Sequence, residues 1–147
     1  MSHDPLSIGA LSSLAGYHLR RASGAFALDF HEAMKGTGMR QVLVGILAIV
    51  DANPGINQGA VGTALGIKRA NMVSLINELV DAGLVAREVS SEDRRAFSLS
   101  LTDAGHAMRK ECIARIEAHE EHMLARLDAD ERALLLKLLA RIGTKKA

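Results

Sequence analysis

Between Asn57 and Leu101 the spacing of apolar residues changes once, from a helical period to strict alternation, and that change limits the folds open to the chain. Asn57 has the chemistry of an N-cap for a short helix running to about Leu65, and Gly66 stands where a glycine commonly ends a helix. A second helix begins near Lys68 and runs to Asp81, with Val73, Ile76, Leu79 and Val80 on one side and Gly83 closing it. Two helices, the first short, joined at Leu65-Gly66-Ile67, form a helix-turn-helix pattern. Beyond Gly83 the segments 84–89 and 96–101 alternate as strands do, most clearly where Phe97, Leu99 and Leu101 are separated by Ser98 and Ser100. The polar stretch 90–95 between them is long enough for a hairpin tip.

Helical patterns flank this unit. Leu6 to Met34 reads as one helix with Leu11, Leu14, Phe26 and Phe30 along a stripe, stopped at Lys35 to Gly38. Met39 to Asp51 places Met39, Val42, Leu43, Ile46, Leu47 and Val50 three and four apart, a wide buried face that Asn53-Pro54-Gly55 ends. Thr102 caps a long charged helix reaching about Leu127, with Asp103 in its first turn. Asp128 or Asp130 starts a last helix striped with Leu134, Leu135, Leu138, Leu139 and Ile142. Those residues need a cover, and a second copy of the chain is the simplest one. The fold class expected is mainly α with a small β-wing.

Composition bounds the function more weakly. The 147 residues carry a formal net charge of +1, and residues 1–67, 68–101 and 102–147 are each within one charge of neutrality. Any affinity for nucleic acid must come from where the bases point. With one tyrosine, three phenylalanines and no tryptophan there is no aromatic platform for stacking single strands. A single cysteine and the lack of a signal-peptide pattern or an apolar run near 20 residues lead to the expectation of a cytoplasmic protein. No phosphate-binding glycine loop, GxSxG elbow or HExxH pair occurs, so an enzyme is not expected, nor is a cofactor.

Pro54-Gly55, Leu65-Gly66-Ile67, the run Leu79 to Arg87, and Asp93-Arg94-Arg95 followed by Leu99 to Gly105 stand in an order and spacing that resemble the MarR family across nearly the whole chain. The resemblance implies a homodimer held together by residues 1–38 and 102–147. Residues 39–101 would form the winged DNA-binding region, with the helix-turn-helix at 57–83 and the wing at 84–101. It implies double-stranded DNA with a pseudo-palindromic operator as partner, the second helix in the major groove and the wing tip in the minor groove. It also implies a repressor that lets go of DNA when a small molecule, often aromatic or phenolic, binds between the two regions.

Carried onto this sequence, the DNA-contacting residues are Lys68, Arg69, Asn71 and Ser74 on the second helix, and Arg94 and Arg95 on the wing. Arg69 and Asn71 suit base edges, Lys68 a phosphate, and Arg95 the minor groove, with Asp93 shaping the loop. The family commonly starts this helix with serine or threonine, and Lys68 departs from that. An effector pocket would draw on Tyr17, His18, Phe30, His31, Met34 and Met39. His119 and His122, three apart around two glutamates, read as a solvated charged face rather than zinc ligands, because no further ligand is evident. Cys112 shares the apolar side of its helix with Met108 and Ile116 and reads as buried. The competing reading is a winged-helix module that binds protein without reading DNA sequence; it would put an uncharged or apolar surface where Lys68 and Arg69 stand.

Overall fold

Local chemistry sets most element boundaries in the computed structural model, which describes residues 5–89 and 97–143. After a short 3-10 turn at Gly9–Ser13 come α1 (Ala15–Ala33), α2 (Gln41–Ala52), β1 (Ile56–Asn57), α3 (Gln58–Leu65) and α4 (Arg69–Asp81). Strands β2 (Val85–Val89) and β3 (Phe97–Leu101) follow, then α5 (Asp103–Met123) and α6 (Ala129–Arg141). Asn57 Oδ1 accepts from the Ala60 amide at 2.8 Å, the N-cap bond its position called for. Gly66 adopts the left-handed conformation (φ 67°) in which a side chain would be strained, and this ends α3. Thr102 caps α5 by accepting from Gly105, and Asp128 with Glu131 forms a reciprocal capping box at the start of α6.

The core centres on α2, whose Leu43, Val44, Ile46, Leu47 and Val50 are all buried. They meet Val61 of α3, Met72, Ile76 and Leu79 of α4, Leu99 of β3 and Cys112 of α5 in one cluster. Each of these aliphatic side chains contributes on the order of 1.5–3 kcal/mol through burial. The sheet is antiparallel with order β1-β3-β2, and β2 pairs with β3 so that Arg87 stands opposite Leu99 and Val89 opposite Phe97. The short strand β1, absent from the sequence reading, pairs Ile56 with Leu99 and is anchored by the Gly55 amide bonding the Leu99 carbonyl at 2.9 Å.

Three expectations change. The segment from Leu6 to Met34 is not one helix: Leu14 is extended (φ −100°, ψ 113°) between the 3-10 turn and α1. The hydroxyls of Ser12 and Ser13 donate to the carbonyls of Gly9 and Ala10, closing the turn locally instead of continuing into α1. Leu11 and Leu14 are exposed, while Phe26 and Phe30 are half-buried. In α4 the inward residue is Met72, fully buried, and Val73 is 48 % exposed. Met72 lies four residues before Ile76, which turns it onto the same face. No helix among the described residues is long and apolar enough to cross a membrane.

Candidate nucleic-acid interface

The turn between α3 and α4 fixes where the second helix of the motif points. The Ile67 amide returns to the Gly62 carbonyl at 2.8 Å, and Met72 packs so closely on Gly62 that a Cβ there would sit 2.9 Å from Met72 Cγ and 3.2 Å from the Ile67 carbonyl oxygen. Two turns along α4 from Asn71, Glu78 receives two hydrogen bonds from Arg40, at 2.7 and 2.9 Å. The Arg40 guanidinium holds the Glu78 carboxyl below the usual carboxylate range, chiefly through these hydrogen bonds. Both contacts fix the rotation of α4 about its axis.

The forward face of α4 is open. Lys68 is the N-cap residue, extended (φ −62°, ψ 140°), and its side chain makes no capping bond, as its lack of an acceptor requires. Lys68, Arg69, Asn71 and Ser74 are all exposed. Ser74 Oγ donates to the Asn71 carbonyl at 3.1 Å, whereas the side chains of Lys68, Arg69 and Asn71 show no hydrogen-bond or ion-pair partner among the described residues. Val73, missed as a surface residue by the sequence reading, lies between Arg69 and Asn77 on the helix, with the apolar chemistry that suits a thymine methyl group.

Beside the flank of α4 that carries Arg69 and Val73 is an open cleft of about 1140 Å³. Asn57, Gln58 and Thr63 line it from α3 and its cap, Arg69 and Val73 from α4, and Arg87 and Phe97 from the wing. Arg87 Nη1 donates to Asn77 Oδ1 at 2.7 Å, and its guanidinium carbon is 5.1 Å from the centre of the Phe97 ring. Arg87 did not figure among the site residues expected from sequence. Its position on a strand, 18 residues beyond Arg69, gives no local sign that both face one cleft. Asp93, Arg94 and Arg95 lie outside the described residues.

The residues expected to form an effector pocket are not gathered into one cavity. Tyr17 and His18 pack edge to face near the start of α1, where His18 Nε2 is 2.8 Å from the Ser12 carbonyl oxygen. Met34 and Met39 are buried in the core beyond the other end, about 25 Å further along at the helical rise. His31 is exposed, and Phe30 is half-buried against His119. A separate groove of about 420 Å³ runs between α1 and α5, lined among others by Asp29, Glu32, Arg115, His119 and His122. None of the six expected residues lines it.

His119 also departs from expectation. It is 5 % exposed, with Nδ1 2.5 Å from Asp29 Oδ2 and the rings of Phe26 and Phe30 set edge-on against the imidazole. Its neighbours Glu120 and Glu121 suggested a solvated face, but the partner that buries it is 90 residues away in sequence. His122 is exposed at the groove. No cluster of three metal-ligating side chains occurs among the described residues. Cys112 is fully buried, and desolvation pushes its thiol up, with nearby Glu111 acting in the same direction.

This architecture recurs in known regulators. Residues 39–96 match the model of the MarR family. A putative transcriptional regulatory protein for the hcr operon of Thauera aromatica is 33 % identical over 139 residues, covering 91 % of this chain and 81 % of that protein. The transcriptional repressor CouR, solved bound to a 23-mer DNA duplex, is 36 % identical with a TM-score of 0.90, covering 96 % of this chain and all of that one. CouR has also been solved bound to p-coumaroyl-CoA, at 35 % identity and a TM-score of 0.82, covering 95 % of this chain and 99 % of that one. The PcaV transcriptional regulator of Streptomyces coelicolor, in complex with its natural ligand, is 26 % identical with a TM-score of 0.83, covering 94 % of this chain and 97 % of that one. With six α-helices and a three-stranded sheet among the described residues, and a relative of this identity over nine-tenths of its length, the chain belongs to the MarR family of winged-helix transcriptional regulators.

Proposed function

We propose that the chain acts as a homodimeric, sequence-specific DNA-binding repressor in the cytoplasm, and that a small aromatic effector releases it from its operator. The observation that carries the DNA-binding part is the forward face of α4. There Lys68, Arg69 and Asn71 stand exposed, with no side-chain partner among the described residues, and Arg69 lines a cleft that Arg87 and Phe97 of the wing also line. Buried or paired bases have already spent their hydrogen-bonding capacity, whereas exposed ones at a helix start can meet phosphates and base edges. The reading assigns Arg69 and Asn71 to base edges, Lys68 to a phosphate, Ser74 to the same surface, Arg95 to the minor groove and Arg94 to a neighbouring phosphate, with Asp93 shaping the wing tip. That CouR, similar over nearly the whole chain, has been solved on a DNA duplex supports it.

The dimer is assigned to residues 1–38 and 102–147, where Leu11, Leu14, Leu134, Leu138, Leu139 and Ile142 are each at least 40 % exposed. Apolar surface of that extent at both ends of a chain suits an obligate partner. The effector class follows the ligand of CouR, p-coumaroyl-CoA, an aromatic thioester. The test is fluorescence anisotropy with a duplex from the promoter beside its own gene and a scrambled duplex, over a series of salt concentrations and with p-coumaroyl-CoA or free aromatic acids added. Preference for the promoter duplex with a steep salt dependence is the expected result; binding indifferent to both sequence and salt would sink the reading. Light scattering reads the dimer directly.

A further inference from the structure

Arg87 is the cation in the cleft whose geometry is most constrained. It sits midway along β2, opposite Leu99, and its guanidinium is held from two sides. Asn77, two turns along α4 from Lys68 and Arg69, accepts from Nη1 at 2.7 Å, and Phe97, on the neighbouring strand, lies under the guanidinium at 5.1 Å. Phe97 is 40 % exposed. At the tip end of the paired strands, this part-exposed ring serves as a platform for the charge. No carboxylate pairs with Arg87 among the described residues. Arg69 lines the same cleft from the opposite wall.

We propose that Arg87 is a DNA-backbone contact of this regulator, a guanidinium preset by Asn77 and Phe97 to bridge a phosphate between the reading helix and the wing. The inference rests on the DNA-binding reading above and adds a residue to it. An arginine has five donors in a planar fork, and the amide of Asn77 uses one of them. The remaining donors can meet phosphate oxygens while the ring beneath limits rotation of the side chain. Because Asn77 belongs to α4 and Arg87 to β2, the bond also fixes the separation of helix and wing, which sets the distance between their points of contact on the duplex. Asn77 and Phe97 are then positioning residues: they act on DNA through Arg87.

Phosphate contacts carry no base information, so removing one weakens all sequences alike and reduces the salt dependence. The experiment titrates full-length protein, wild type and Arg87→Gln, Arg87→Lys and Phe97→Leu, against the promoter duplex and its scrambled counterpart at several salt concentrations. Arg87→Gln is expected to bind both duplexes at least about tenfold more weakly, with the slope of log K against log salt shallower by about two, one for each protomer of the dimer. Arg87→Lys and Phe97→Leu keep the charge and are expected to keep the slope, while losing part of the affinity with the loss of presetting. An Arg87→Gln protein with wild-type affinity and slope overturns the assignment, as does one that loses affinity for the promoter duplex alone. Arg87→Lys and Phe97→Leu both binding as wild type overturn the presetting. A fold defect is read separately from the melting temperature and does not by itself change the salt slope. Wild-type protein that binds neither duplex removes the DNA-binding reading and this assignment with it, whereas wild-type binding beside an unaffected Arg87→Gln removes the assignment alone.

Discussion

Thr102 Oγ1 donates a 2.6 Å hydrogen bond to the carbonyl of Gly83, so the first residue after the wing is bonded to the last residue before it. The same oxygen accepts from the Gly105 amide at 3.0 Å, and the Thr102 amide donates to the Leu84 carbonyl at 3.1 Å. One threonine therefore closes the base of the wing, caps α5 and ties the end of α4 to the helix that leads away from the DNA-binding region. The run Leu101 to Gly105, which resembles a family motif in sequence, acquires a mechanical meaning from this clasp.

Gly105 is the tightest point of the clasp. A Cβ at this position would fall 1.9 Å from the Leu84 carbonyl oxygen, a backbone atom that cannot rotate away. Gly105→Ala is expected to destabilise the fold by about 3 kcal/mol, at the upper end for overpacking, even though alanine favours helices. Thr102→Val, which removes the cap and the Gly83 bond but keeps the shape, is expected to cost about 1–2 kcal/mol. Urea unfolding of both variants checks the order; a Gly105→Ala protein as stable as wild type would refute the close approach.

The Arg40–Glu78 pair gives a pH-dependent prediction. Hydrogen bonding to Arg40 lowers the Glu78 carboxyl in the folded state, so the unfolded chain binds the proton more readily. The contribution is fully present above the unfolded value, near 4.3, and is lost as pH falls through the lower folded value. Glu78→Gln should therefore melt below wild type at neutral pH, and the gap should close on acidification through that window. Both partners are about half exposed, so raising the salt concentration should narrow the gap as well. A gap that stays constant with pH would show that the loss reflects something other than the ion pair.

What the sequence disclosed and what it concealed divide along the range of the interactions. Asn57, Gly66, Thr102 and Asp128 mark helix ends through bonds to residues within four positions; the first three ends were legible, and the fourth was narrowed to Asp128 or Asp130. Lys68 as N-cap without a capping bond follows from its side chain alone. The phase of α4 was misread because Met72 and Val73 are adjacent and both apolar. Spacing from Ile76 admits either, and only packing against Gly62 selects Met72. His119 and Arg87 were misplaced or missed because Asp29, Asn77 and Phe97, which define their roles, are not neighbours in sequence. The wing tip with Asp93, Arg94 and Arg95 remains an assignment by resemblance.

The pairing of Asp29 with His119 should matter for the joint between α1 and α5. His119 has its side chain almost wholly buried between Phe26 and Phe30, and Asp29 is the hydrogen-bond partner of its Nδ1. Asp29→Ala leaves a buried polar nitrogen without that partner and is expected to cost about 2 kcal/mol. A second tie, Arg115 donating to the carbonyls of Ala33 and Lys35 at the end of α1, holds the helices near the same place. Arg115→Ala combined with Asp29→Ala should therefore cost more than the sum of the single losses if each tie limits the damage from removing the other. A double-mutant cycle measured by urea unfolding reads this; strict additivity would show that the two ties act independently.

Cys112 should be chemically silent in the folded protein. It is fully buried in the cluster built on α2, and burial raises its thiol, so little thiolate exists to attack an oxidant or an alkylating reagent. Thiol modification should therefore track global unfolding, slow in native buffer and fast in denaturant, and peroxide should leave DNA affinity unchanged over the period in which an exposed thiol reacts. The raised value has a consequence of definite sign. Above the unfolded thiol value, near 8.5, the unfolded chain gives up its proton while the folded chain keeps it, so stability falls as pH rises. Cys112→Ala removes that alkaline loss at the expense of a small cavity costing about 1 kcal/mol. The variant should be less stable than wild type at pH 7, and the difference should shrink above the unfolded thiol value. Rapid modification of native protein, or a difference unchanged across that range, would place the thiol outside the core.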